Sequence, residues 1–219
     1  MRWEVDHLVV GAASLAQGEA WCRETFGVAP LPGGQHPLMG THNRLLSMAS
    51  PAHPRSYLEI IAIDPQAEPP GRKRWFDLDD TAVQASLAAG PSLLHWVARC
   101  GDVAAATRTL GLLGIDRGEI LAAGRASPHG TLRWRITVRA DGQRLACGAL
   151  PTLIEWDGVH PAQGLPDSGL RLRTLTLGGL PAGLRSMLPD GVDGPADAEP
   201  GLRATFDSPR GRVELVSRS

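Results

Sequence analysis

The chain has 219 residues, 22 of them Lys or Arg and 23 Asp or Glu, for a formal net charge of −1; 42% are hydrophobic and 21% charged. This is the balance of an ordinary globular protein and gives no bulk attraction to nucleic acid or an anionic membrane. No apolar run approaches the ~18 residues that span a bilayer, the opening MRWEVDHLVV is not a signal peptide, and the three cysteines, Cys22, Cys100 and Cys147, form no CxxC pair or disulfide framework. A cytoplasmic protein in a reducing compartment is expected. The 26 glycines and 18 prolines predict many turns and short, strand-rich elements rather than a helical bundle.

In chain order, the valine-rich VDHLVV at 5–10 predicts a strand. A helix over 14–26 follows, capped by Ser14, with Leu15, Trp21, Cys22 and Phe26 at near-helical spacing and Gly27 as its stop. Residues 30–43, PLPGGQHPLMGTHN, read as a glycine- and proline-punctuated loop, and RLLSMA (44–49) and SYLEIIAI (56–63) as strands. A linking helix is predicted over at least 77–88, ended by Gly90 and Pro91. The pattern then restarts. SLLHWVAR (92–99) reads as a strand and 102–113 as a helix capped by Asp102. TLRWRITV (131–138), RLAC (144–147) across an Asp141-Gly142 turn, and PTLIEW (151–156) read as further strands. A third, degenerate copy is predicted from LRLRTLTL (170–177), a short helix at 180–188 and a hairpin of 202–206 with 211–216. Strand, helix, strands thus recurs up to three times.

Overlaying the copies brings four residues to matching places. His7 and His95 stand in the first strands, and Glu59 and Glu155 in the last, at separations of 52 and 60 residues. Strand alternation sets His7 with Val5 and Val9, Glu59 with Tyr57 and Ile61, His95 with Leu93 and Val97, and Glu155 with Leu153. A glutamate among apolar neighbours does not stay charged unless something pairs with it. Four such groups converging on one divalent ion would satisfy each other, since His nitrogens and Glu oxygens are ordinary ligands of zinc, nickel, iron or manganese. The plainer alternative is half-buried histidines with single hydrogen bonds, and glutamates paired with strand arginines such as Arg133, Arg135, Arg171 and Arg173.

DHLVVGAASLAQGEAWCRETFGVAPLPGGQHPLMGTHNRLLSM, followed by YLEIIAID, is similar to the vicinal oxygen chelate superfamily, the glyoxalase/bleomycin-resistance/extradiol-dioxygenase fold, and within it resembles the glyoxalase-like domain proteins. The resemblance is strongest over 5–64 and weaker over 92–157. It implies an α+β fold of tandem βαβββ modules forming a cupped mixed sheet. The first module with its linking helix falls at 1–90, the second at 91–165, and a partial third at 166–219. It also implies a divalent metal at the floor of the cup, on His7, Glu59, His95 and Glu155.

The reaction implied is of lyase or isomerase type: a small substrate with adjacent oxygens passes through an enediolate while a carboxylate moves the proton. Glu155 is the first choice for that base and Glu59 the second, with His42 also placed among the catalytic candidates. His36, Asn43, Trp96 and His129 are the expected substrate contacts. One alternative is an extradiol-type dioxygenase on His7, His95 and Glu155, against which the extra Glu59 argues. Another is a metal-free binding protein of resistance type, with Trp96, Trp134 and Trp156 lining a cleft. Arg125, Arg133 and Arg135 suit either an anionic substrate or a solvated sheet edge. No Walker loop or dinucleotide glycine fingerprint is present. The expected partners are a small molecule and, for assembly, a homodimer.

Overall fold

The computed structural model describes residues 3–127 and 130–217. His129, an expected substrate contact, lies outside the described residues. The first unit runs β1 (Glu4–Gly11), α1 (Leu15–Phe26), β2 (Leu31–His36), β3 (Thr41–Ser47) and β4 (Tyr57–Ile63). After the linking helix α2 (Thr81–Ala89), the second runs β5 (Ser92–Arg99), α3 (Val103–Leu112), β6 (Glu119–Ser127), β7 (Gly130–Val138) and β8 (Thr152–Asp157). Both are βαβββ. They share one curved sheet in the order β2-β3-β4-β1-β5-β8-β7-β6, joined where β1 lies antiparallel to β5. The expected α+β architecture is observed.

The helices start where sequence signals place them. Ser14 Oγ accepts from Gln17 N, Asp102 caps Ala105 N, and Gly27 ends α1 in the left-handed region at φ 76°. α2 is shorter than expected. Phe76 and Asp77 hold φ of 60° and 58°, a conformation that excludes a helix, so the helix waits for the Asp80 cap. The predicted loop at 30–43 is instead β2, a turn and the start of β3: Pro and Gly are tolerated in β2 because it is the edge strand. RLAC forms no strand. Ala146–Gly148 is a tight 3-10 turn, and only Leu145 and Leu150 bridge across it.

Each face of the sheet has its own core. On the helix side Leu8, Val10, Leu58, Ile60, Trp96 and Leu153 join one apolar cluster; on the concave side Val9, Ile61, Val97, Trp134, Ile136 and Ile154 join another. Two bulges disturb the alternation. The β1–β5 register skips Asp6 on β1 and Leu94 on β5, so Asp6 with His7, and Leu94 with His95, turn to the concave side together. Val5 therefore packs on the helix side, not with His7 and Val9.

A second, four-stranded sheet has the order β10-β9-β11-β12, built from β9 (Arg171–Gly178), β10 (Val192–Asp193), β11 (Gly201–Ser208) and β12 (Gly211–Val216). A 3-10 helix at Ala182–Met187 stands where a short helix was expected. Leu172, Leu175, Leu202 and Phe206 bury into the helix-side core of the large sheet.

Candidate functional site

The bulge in β1 concentrates polar groups at the middle of the cup. Asp6 is fully buried. It accepts from His7 Nδ1 at 2.6 Å on one oxygen, and from Trp156 Nε1 and His160 Nε2, both at 2.9 Å, on the other. Ala162 N–H donates to His160 Nδ1, which assigns the His160 proton to Nε2. Burial pushes the Asp6 carboxyl up, but the hydrogen bonds from His160 and His7 outweigh it and hold the group well below the ordinary carboxylate range. A permanently ionised Asp6 keeps the His7 proton on Nδ1, turning Nε2 toward the cup. The His7 ring stacks on Tyr57 with centroids 4.6 Å apart.

Glu59, one strand away on β4, places Oε2 3.6 Å from His7 Nε2. Its Oε1 accepts from Asn43 Nδ2 at 2.6 Å, and Asn43 Oδ1 in turn accepts from Gly34 N at 2.7 Å. The glycine pair makes room for this. A Cβ on Gly33 would stand 1.9 Å from Asn43 Oδ1, and one on Gly34 would stand 2.7 Å from the Arg125 guanidinium. Arg125 Nη1 donates to Gly33 O, and among the described residues no carboxylate lies within ion-pair distance of it. Burial lowers its pKa while Tyr57 and Glu59 oppose that shift, so it remains a cation beside the carboxylate.

These groups line a recess of about 30 Å³ walled by Trp75, Phe76, Trp134, Ile136, Ile154 and Trp156. A larger, mostly apolar cavity of about 310 Å³ shares His36, Trp75, Trp134 and Ile136 with it. His36 Nδ1 contacts Thr41 Oγ1 at 3.0 Å; burial, with Arg125 and His7 adding to it against Glu59, takes its pKa down to about 4. His36 is thus a neutral side chain where the two cavities meet. Both ends of the Asn43 amide are engaged, Nδ2 by Glu59 Oε1 and Oδ1 by Gly34 N.

The other predicted residues lie elsewhere. His95 faces the concave side but meets neither His7 nor Glu59. Trp75 and Phe76 line both the recess and a separate small cavity containing His95. His95 Nε2 accepts from Thr152 N at 3.0 Å, and burial with the nearby Arg117 and Arg144 holds its pKa well below the ordinary value. Glu155 points to the helix side, as its neighbour Leu153 does. It accepts from Val103 N at 2.8 Å and is held by Arg135 Nη2 at 2.7 Å on each oxygen. The residues of β8 that face the cup are Ile154 and Trp156. His42 likewise alternates away from Asn43 and lies 3.8 Å from Asp64. Trp96, the residue after His95, is fully buried in the helix-side core with Nε1 donating to Ala149 O at 2.8 Å. Sequence reasoning passed over Asp6 and His160 as a buried anchor and Trp75–Phe76 as a partition. Asp6 beside His7 was a visible signal; nothing local marked the partition.

Residues 5–183 match the family described as glyoxalase-like domain. The chain belongs to that family. The fold of this glyoxalase-like protein also recurs among solved structures. A hypothetical protein from Staphylococcus aureus is 12% identical with a TM-score of 0.58, covering 91% of this chain and 89% of that one. A methylmalonyl-CoA epimerase from Streptomyces coelicolor, in complex with 2-nitronate-propionyl-CoA, is 18% identical with a TM-score of 0.45, covering 73% and 99%. The methylmalonyl-CoA epimerase of Mycobacterium tuberculosis is 16% identical with a TM-score of 0.39, covering 71% and 88%. None of the curated proteins compared matches it.

The sequence resemblance implies four metal ligands, which the geometry of the glyoxalase-like protein meets only in part. Two of them, His7 and Glu59, are neighbours. The lone pair of His95 Nε2 is taken by Thr152, and Glu155 is taken by Arg135 on the opposite face. Among the described residues no group of three or more His, Cys, Asp or Glu is placed to hold a metal ion. The four-residue centre does not fit this arrangement, and neither does an extradiol triad of His7, His95 and Glu155. Among the described residues no helix is long and apolar enough to cross a membrane.

Proposed function

We propose that this glyoxalase-like protein is an isomerase- or lyase-type enzyme that moves a proton on carbon beside a carbonyl, acting on a small substrate with adjacent oxygens. The observation that carries this reading is the asymmetry of Glu59: one oxygen is tied to Asn43 and the other faces His7 Nε2 in an aromatic-walled recess. A carboxylate so held, with little water around it, is a suitable base for a carbon-bound proton. Glu59 Oε2 takes that proton while the C–H electron pair moves onto the carbonyl oxygen. The resulting enediolate oxygen is met by the Arg125 guanidinium. His7 Nε2, its other nitrogen fixed by Asp6, carries the hydroxyl proton between the two oxygens. Glu59 then returns its proton to the adjacent carbon, so the net change is isomerisation. An apolar substituent fits the adjoining cavity of about 310 Å³.

The test is solvent-deuterium incorporation followed by proton NMR. The substrates are thiol hemithioacetals of methylglyoxal and small 2-hydroxy ketones, with chelator and then with added zinc, nickel, manganese or iron. Exchange that persists in chelator and vanishes in Glu59→Gln supports the reading. Exchange that needs a metal and is lost equally in His95→Ala and Glu155→Gln would restore the four-residue centre instead. The size and apolar walls of the larger cavity favour one second reading, a small-molecule binding protein; saturable binding of an apolar ligand with no exchange on any substrate would select it.

A further inference from the structure

β6 presents two chemistries along one inward face. Its alternation turns Leu121, Ala123, Arg125 and Ser127 to the same side, with Ala123 opposite Trp134 and Arg125 opposite Leu132 on β7. Leu121 and Ala123 line the cavity of about 310 Å³, and among the described residues no Lys, Arg, Asp or Glu joins them there. Further along the strand, Arg125 and Ser127 line a different cavity, of about 280 Å³. Most of its wall is apolar, from Leu31, Leu45, Leu132, Val159 and Leu165. It shares Leu45, Arg125 and Pro161 with the recess at Glu59, so the two adjoin.

Among the described residues Arg125 is the only Lys, Arg, Asp or Glu lining this chamber. The half-buried guanidinium spends Nη1 on Gly33 O at 3.3 Å. Its Nε and Nη2 hold no hydrogen bond among the described residues, yet they are not sealed from solvent. Glu59 supports the charge from the recess without coming within ion-pair distance. His160 offers the chamber no open nitrogen: Nε2 is engaged by Asp6 and Nδ1 by Ala162 N. A planar guanidinium fork in an otherwise apolar chamber matches one carboxylate carried on an apolar body. A phosphate dianion would meet a single cation, and a neutral apolar ligand would leave the fork unused. The volume is close to that of the smallest ordinary ligand pockets, roughly 300 Å³. We infer that Arg125 and this chamber bind the carboxylate of a small apolar organic acid. On the proton-transfer reading of Glu59, on which this second step rests, that acid is the substrate class, its carbonyl reaching the adjoining recess.

The test measures binding of sodium benzoate and of benzamide, its neutral isostere, by isothermal titration calorimetry at constant ionic strength. Benzoate is expected to bind about 10–100-fold more tightly, the worth of a hydrogen bond to a charged group. Arg125→Gln is expected to bring benzoate down to the level of benzamide, and Arg125→Lys to keep part of the preference. Crystals of the wild-type protein soaked in 4-bromobenzoate are expected to show the bromine beside Val159 and Leu165, a readout that stands even where a variant does not fold. Equal affinity for the two probes, a preference undiminished in Arg125→Gln, or bromine outside this chamber would each overturn the site. Inorganic phosphate binding as tightly as benzoate would overturn the carboxylate assignment. Deuterium exchange on neutral hydroxy ketones without any benzoate preference would overturn the acid and leave Glu59 its role. Benzoate held at Arg125 with no exchange on any substrate would support the site and overturn the role of Glu59.

Discussion

The two βαβββ units repeat the same order of elements but not the same chemistry. In the first, the last strand turns Glu59 into the cup, where Asn43, His7 and Arg125 meet it. In the second, the last strand turns Glu155 outward onto Arg135 and the start of α3, and gives the cup Ile154 and Trp156. His7 keeps Nε2 open because Asp6 holds its far side; His95 has Nε2 closed by Thr152. The first unit thus brings the carboxylate and imidazole to the recess, and the second brings apolar walls together with Arg125 from β6. Repetition of elements does not guarantee repetition of register, because one residue of offset moves a side chain to the other face.

The comparison can be broken by exchanging the fates of the two glutamates. Glu59→Gln is expected to lower the deuterium-exchange rate by about 10²–10⁴-fold, as removal of a general base does, while Glu155→Gln leaves it near wild type. A similar loss in both would mean that the two units act together. Phe76→Ala removes the partition and is expected to destabilise by about 3–5 kcal/mol in urea unfolding, the cost of truncating a buried aromatic ring. A much smaller change would show that the wall is loosely packed.

Gly33→Ala drives a methyl group into Asn43 and is expected to cost about 1–3 kcal/mol and to slow exchange, because Asn43 is pushed off Glu59. Exchange at the wild-type rate in that variant would remove Asn43 from the positioning of the base. The pH dependence of unfolding samples both units. His36 and His95 have folded pKa values below the ordinary 6.5, so the unfolded chain takes up protons first as pH falls. Stability is fully present above 6.5 and declines as pH drops toward 4, by about 3 kcal/mol from His36 alone, followed by urea unfolding monitored through tryptophan fluorescence. Below the ordinary carboxylate value of 3.8 the contribution of Asp6, whose folded pKa is depressed, is lost as well. The smallest effect belongs to Glu155→Gln on stability. It gives up a half-exposed ion pair and one contact at the start of α3, for a loss of about 1 kcal/mol or less in Tm-derived free energy.

Much of the fold was legible in the sequence. Caps at Ser14 and Asp102, the stop at Gly27 and the valine-rich first strand fixed their elements to within a residue or two. β2 reads as loop from sequence because its Pro-Gly-Gly run is a turn signal anywhere except on an edge strand. β6 carries no strand signal in the sequence because its small residues give no clear periodicity. Of the four residues that the sequence sets together, only His7 and Glu59 are neighbours in the structure. Leu153 made the face of Glu155 look like the cup, but Leu153 belongs to the helix-side core. His42 and Trp96 failed for the same reason: alternation says which residues share a face, while neighbouring strands decide what that face looks upon. The Asp6 bulge depends on pairing between strands distant in sequence, which no local pattern encodes.

That bulge has an evolutionary corollary. A strand normally presents one inward group for every two residues, and the extra residue in β1 delivers an anchor and its imidazole side by side. Losing the single codon between Val5 and His7 would remove Asp6 itself and leave His7 Nδ1 without its acceptor while barely altering composition or length. Indels at this spot are therefore expected to be far more damaging than point substitutions in the solvent-facing strands, and relatives that keep the histidine should keep the spacing.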